Sequence, residues 1–93
     1  RNTALGAFAL RTMDPATSSI TYNCGLGYAA LYATTTGTQN TASGSFGMYS
    51  NTTGSGNVAY GYESLYSNTT ASNNTAFGNT TLRSNTTGHS NTA

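Results

Sequence analysis

His89, Asp14, Glu63 and Cys24 are each the only residue of their kind in the 93-residue chain. With Arg1, Arg11 and Arg83 they are all the side chains that carry charge or exchange protons near neutral pH. General acid–base work needs a pair of such groups converging on one bond, and a metal needs several ligands at short separations. Here they are scattered. Asp14 precedes Pro15 in a stretch unlike its surroundings, and Glu63 lies far along the chain, too distant for paired carboxylate chemistry. His89 falls in a Ser/Thr/Gly-rich cluster and reads as a solvated turn residue. Cys24 stands where related segments carry Thr or Val, so it reads as a small packing side chain, and a lone cysteine closes no internal disulfide. The Asp-rich turns of calcium-binding rolls are missing. The expectation is a protein that is not an enzyme and holds neither cofactor nor metal.

What must position side chains in this chain is a repeat. YSNTT occurs at 49–53 and again at 66–70. Asparagine opens a unit at Asn2, Asn23, Asn40, Asn57 and Asn74, with a partial unit from Asn91, at intervals of 21, 17, 17, 17 and 17. The consensus is N-T-A-x-G-x-x-x-L-Y-S-N-T-T-G-x-x. Units three and four agree at nine of seventeen positions without a gap, which is the signature of a solenoid. The extra residues of unit one fall in MDPATSSITY, 13–22, read as a surface loop leaving the coil.

Composition narrows the partners. There is no lysine, and the net charge is +1, which removes the basis for binding nucleic acid through its phosphates. No apolar run approaches the ~20 residues needed to span a bilayer, so membrane insertion is not expected. Abundant Thr, Asn, Ser and Gly would suit a disordered segment. Seven Tyr and three Phe, with apolar residues in register from unit to unit, argue for a packed array instead.

A unit of 17 residues is too short for a helical hairpin, and Thr, Tyr, Phe and Val favour strands. The fold class expected is all-β: a parallel β-solenoid of about five 17-residue coils, making residues 1–93 one domain. One strand is expected through N-T-A-x-G and a second through x-x-x-L-Y-S, with coils about 4.8 Å apart. Stacking sets equal positions above one another as columns. Asn2, Asn23, Asn40, Asn57 and Asn74 then form an amide ladder, and Gly6, Gly27, Gly44, Gly61 and Gly78 a glycine column. The interior is assigned to Ala4, Gly25, Ala42, Ala59 and Ala76 and to Leu10, Leu31, Met48, Leu65 and Leu82. Gly37, Gly54 and Gly88 are read as turn positions with positive φ, with Asn73 or Asn74 compensating where Ala71 breaks that column. One leucine per coil is a thin core, so burial between copies is expected through the variable column Leu5, Leu26, Ser43, Tyr60 and Phe77.

Units such as NTAFGNTTLRSNTTGHSNTA and NVAYGYESLYSNTTASNNTAFG resemble the N-T-A-x-G…A-L…N-T-T-G repeats of bacterial surface and phage tail-fibre proteins. More distantly they are similar to the head repeats of trimeric autotransporter adhesins, whose units carry a related A-x-G element. The resemblance covers the chain outside 13–22. It implies a left-handed parallel β-roll, usually trimeric, serving as the stalk or head of a fibre at a cell surface or on a virion. The 17-residue period exceeds that of the adhesin heads, which implies a different coil cross-section. In the tail-fibre group such arrays often precede a self-cleaving chaperone domain, to which nothing in these residues corresponds.

Three surface features have readings of their own. The column Tyr32, Tyr49 and Tyr66, flanked by Arg11 and Arg83, is expected to pack against the neighbouring coil or chain, and would stack on sugar rings of a cell-surface glycan if exposed. Paired threonines at 35–36, 52–53, 69–70 and 86–87 form a hydroxyl and methyl array of the kind ice-binding solenoids present. Asn51, Asn68, Asn73, Asn79 and Asn85 open N-x-T sequons, candidate glycosylation acceptors in a secreted eukaryotic chain. The leading expectation is a structural segment of an extracellular fibre, a homo-oligomer and in particular a trimer. An end-to-end filament subunit and an ice-binding module are the alternatives.

Overall fold

The structure is a computed structural model that describes residues 1–13 and 21–93. The loop read at 13–22 therefore lies outside the described residues apart from its ends, as do Asp14 and Pro15. The chain is a parallel β-solenoid. Five strands, β1 (Thr3–Leu5), β2 (Cys24–Leu26), β3 (Thr41–Ser43), β4 (Val58–Tyr60) and β5 (Thr75–Phe77), form one sheet in chain order. Every pairing joins equal repeat positions, such as Ala4 with Gly25, Ala42 with Ala59 and Ala59 with Ala76. A parallel bridge from Thr75 to Thr92 starts the next layer.

The second expected strand does not form. The x-x-x-L-Y-S segment is two consecutive tight turns, closed by bonds such as Gly47 N–H to Gly44 O (3.2 Å) and Asn51 N–H to Met48 O (3.2 Å). Left-handed residues alternate through it: after the glycine come Phe8, Ala29, Phe46, Glu63 and Thr80, then Leu10, Leu31, Met48, Leu65 and Leu82, all with φ between 47° and 61°. A core one leucine wide requires the chain to double back soon after the strand, and an extended segment there would carry the leucine past it. The coil-to-coil hydrogen bonds continue through the turns all the same, as from Leu31 N–H to Gly47 O (2.9 Å) and Met48 N–H to Ser64 O (2.9 Å). Neighbouring coils thus compensate for a conformation costing roughly 1–2 kcal/mol per non-glycine residue.

The two glycine columns have different causes. Gly6, Gly27, Gly44, Gly61 and Gly78 combine φ of 121–136° with close approach; a Cβ on Gly44 would lie 2.6 Å from the Gly61 carbonyl oxygen. Gly37, Gly54 and Gly88 do not have the positive φ expected of them. There, crowding excludes a side chain, since a Cβ on Gly88 would sit 2.6 Å from Asn85 Oδ1. The left-handed turn residue lies two positions on, at Tyr22, Gln39, Gly56, Asn73 and Ser90 in successive coils. Asn73 accordingly follows a rule of every coil and does not compensate for Ala71.

Leu31, Met48 and Leu65 are fully enclosed, with Ala42, Ala59 and Ala76 opposite them. Ala4, assigned to the interior, is exposed because it belongs to the first layer, and Leu82 in the last full layer is only half-buried. The polar part of the interior is mostly amide, with the hydroxyls of Thr21, Thr34 and Ser64 beside it. Asn23, Asn40, Asn57 and Asn74 are buried, and each clamps two coils. The Nδ2 of Asn57 donates to Ala71 O in its own coil (2.9 Å) and to Asn40 Oδ1 (3.1 Å), while its Oδ1 accepts from Asn74 N–H (2.9 Å). A second ladder runs through Asn51, Asn68 and Asn85, with bonds of 2.9 and 3.1 Å between successive amides. The two ladders share acceptors: Gly54 O takes an N–H from both Asn40 and Asn51, and Ala71 O from Asn57 and Asn68. Only a short side chain bearing one donor group and one acceptor fits both tasks. In coil two the second ladder is interrupted by Thr34, whose buried hydroxyl has no partner.

Candidate functional site

The outward face of the sheet is built by alternation along each strand. The middle residue of β3, β4 and β5 points inward, so its neighbours stand outside. One outer row is Thr3, Cys24, Thr41, Val58 and Thr75; the other is Leu5, Leu26, Ser43, Tyr60 and Phe77. The second row carries large apolar groups in water: Leu5 is 71% exposed, Phe77 69% and Tyr60 53%. Tyr60 and Phe77 stack on each other, centroids 4.7 Å apart and planes 6° apart. No residue in either row is charged. Cys24 is a half-buried free thiol between Thr3 and Thr41.

A second aromatic region lies on the turns that follow the strands. Tyr32, Tyr49 and Tyr66 stack with centroids 4.9 and 5.2 Å apart and planes 15° and 8° from parallel. The outer faces of this column are covered. The Arg11 guanidinium lies 5.8 Å from the Tyr32 ring centre and donates to its hydroxyl at 2.9 Å, and that of Arg83 lies 5.0 Å from the Tyr66 ring. The rings therefore pack from coil to coil, and the condition for sugar stacking, an open ring face, is not met at the two ends of the column. Arg83 also pairs with Glu63, which holds the Glu63 carboxyl below its ordinary value and raises the guanidinium. A hydrogen bond from the Tyr62 hydroxyl to the same carboxylate, together with its charge, pushes the Tyr62 phenol up.

Sequence reading missed the herringbone beside this column. Phe8, Tyr28, Phe46 and Tyr62 meet edge to face at 5.5, 5.3 and 6.1 Å. Its signal is present in GAF, GYA, GSF and GYE, where the aromatic alternates between two adjacent positions. In-register rings would stack; the one-residue offset turns them edge on, the other favoured aromatic geometry.

The remaining candidates are dispersed. In the first three threonine pairs the first member is tied to the next coil, as by Thr52 Oγ1 to Thr69 O (3.1 Å), Thr86 is exposed, and the second member of every pair faces out. The outward rank Thr36, Thr53, Thr70 and Thr87 is one residue wide, a line rather than the plane an ice lattice would match. Asn51 and Asn68 lie in the buried ladder, whereas Asn73 and Asn79 are exposed and Asn85 half-buried. His89 is exposed, and its Nδ1 accepts from Ser72 N–H (2.8 Å), taking the place that Ser55 and Ser72 hydroxyls hold in the coils before. Among the described residues no three of His, Cys, Asp and Glu come together, and no pocket is enclosed. Comparison with family models, curated proteins and solved structures finds no match.

Proposed function

We propose that this chain is a structural, non-enzymatic segment of an extracellular fibre, at a cell surface or on a virion, that spaces or presents a receptor-binding part. It works as a parallel association of three copies. The observation that carries the reading is the outer sheet face, where Leu5, Tyr60 and Phe77 stand mostly in water with no charge beside them. A row of exposed apolar side chains, interrupted in its middle coil by Ser43, marks an interaction site. The row runs along the stacking axis with one side chain per coil, so parallel copies meet coil by coil. Three copies around a common axis close the arrangement, as symmetric oligomers do, and the resemblance of the N-T-A-x-G units to trimeric fibre repeats agrees.

Sedimentation of the purified 9.5 kDa chain tests this reading. A discrete trimer that dissociates in L26K and Y60E supports it. A folded monomer stable at high concentration overturns it, and an open polymer overturns it in favour of end-to-end filament growth.

A further inference from the structure

We infer that Tyr32, Tyr49 and Tyr66 form a site of intrachain dityrosine cross-linking, acted on by a one-electron oxidant of the peroxidase and hydrogen peroxide class. The site is defined by pairing. Among the ring contacts of the described residues, only Tyr32–Tyr49 and Tyr49–Tyr66 join tyrosine to tyrosine. Tyr28 meets Phe8 and Phe46, Tyr62 meets Phe46, and Tyr60 meets Phe77, so a radical formed on those rings has no phenol alongside. Arg11 and Arg83 cover the outer faces of the column, which leaves Tyr49 as the stacked partner of both end rings.

Coupling needs two phenoxyl rings held close for as long as the radicals live. Backbone bonds from Ala33 N–H to Tyr49 O (3.1 Å) and from Ser50 N–H to Tyr66 O (3.1 Å) fix the coils on which these rings stand. Holding two reactants together in this way replaces a bimolecular encounter by an intramolecular one. The rings are half-buried, so oxidant has access while the packing keeps them paired.

In the step, each phenol gives one electron to the oxidant and one proton to solvent. The two radicals join through a carbon–carbon bond between ring positions ortho to the hydroxyls. The hydrogen on each joined carbon then passes through solvent to the phenolic oxygen, restoring both aromatic rings. Two electrons and two protons are lost in all, and hydrogen peroxide takes them up to become two waters. The product is a covalent staple between coils, built without a disulfide. It does not depend on how many copies of the chain associate.

The test treats the folded chain with a peroxidase and hydrogen peroxide. A mixture of isotopically labelled and unlabelled chains separates links within a chain from links between chains. Dityrosine fluorescence and peptide mapping after reduction of any Cys24 disulfide read the outcome. Expected are intrachain 32–49 and 49–66 peptides, each lighter by two hydrogens, together with an upward shift in melting temperature. Y49F retains the ring and its stacking, so it folds, yet it loses both links, while Y60F retains them. The proposal is overturned if links form mainly at Tyr22, Tyr28, Tyr60 or Tyr62, only between chains, or undiminished in Y49F. Selectivity that persists in urea-unfolded chain also overturns it, because the stacking is then not the cause.

Discussion

Asn57→Ala tests the amide ladder at its centre. The substitution deletes the Oδ1 that accepts from Asn74 N–H and the Nδ2 that donates to Ala71 O and Asn40 Oδ1. Ala71 O keeps its bond from Asn68, and Asn40 Oδ1 keeps the one from Asn57 N–H. Asn74 N–H is then left buried without its acceptor, at a cost of about 1–3 kcal/mol, and the two lost amide bonds add about 0.5–1.5 kcal/mol each. The expected loss is therefore about 2–6 kcal/mol, comparable with the whole stability of a small domain. Urea denaturation followed by circular dichroism at fixed chain concentration measures it, since association makes apparent stability depend on concentration. Exposed Asn79, whose side chain has no place in the ladder, is the control; N79A should stay within about 0.5 kcal/mol of the parent. At neutral pH, N57D should be worse than N57A, because a buried carboxylate would face two acceptor oxygens. That carboxyl's folded pKa would lie above its unfolded value, so N57D should be most stable in acid and lose stability as the pH rises. A cost below about 1 kcal/mol for N57A would refute the ladder as a main support of the fold.

Thr34→Val removes the buried, unpartnered hydroxyl from the second ladder and should stabilise the chain by about 1 kcal/mol in the same assay. T34N should do at least as well if its amide reaches Gly37 O, which now receives a side-chain bond from Asn23. Gly61→Ala should abolish the folded circular dichroism signal, because its Cβ would stand 2.5 Å from Gly78 O at a φ of +133°. The Glu63–Arg83 pair holds the Glu63 pKa below its unfolded value. It therefore contributes stability above the ordinary carboxylate range of about 4.3, and loses it as the pH falls through the folded pKa. The difference between the parent and E63Q should be small, because the pair is solvent-exposed, and should shrink with acid and with salt.

Much of the architecture was legible in the sequence because a parallel stack places equal positions above one another. Asn23, Asn40, Asn57 and Asn74 recur for the same reason that they are bonded: each coil presents the next with the same N–H and carbonyl. The 17-residue interval therefore carried strand register, the leucine interior and the ladder without further information. Surface readings fared differently, since a column's accessibility depends on neighbours from other columns. For Tyr32, Tyr49 and Tyr66 the column is legible in the repeat, but whether its ring faces are open depends on how Arg11 and Arg83 lie over its ends. Asn51 and Asn68 match the sequon pattern of Asn79 but are enclosed in the core.

By itself the sequence determined that the chain stacks in 17-residue layers, and which residues repeat through them. Only the tertiary structure decided how each layer closes. Propensity made x-x-x-L-Y-S a strand, but the narrow core requires two turns with left-handed residues at Leu31, Met48 and Leu65. No propensity favours that backbone in an isolated segment. It persists because the coils on either side supply the hydrogen bonds, and those partners exist only once the layers are stacked.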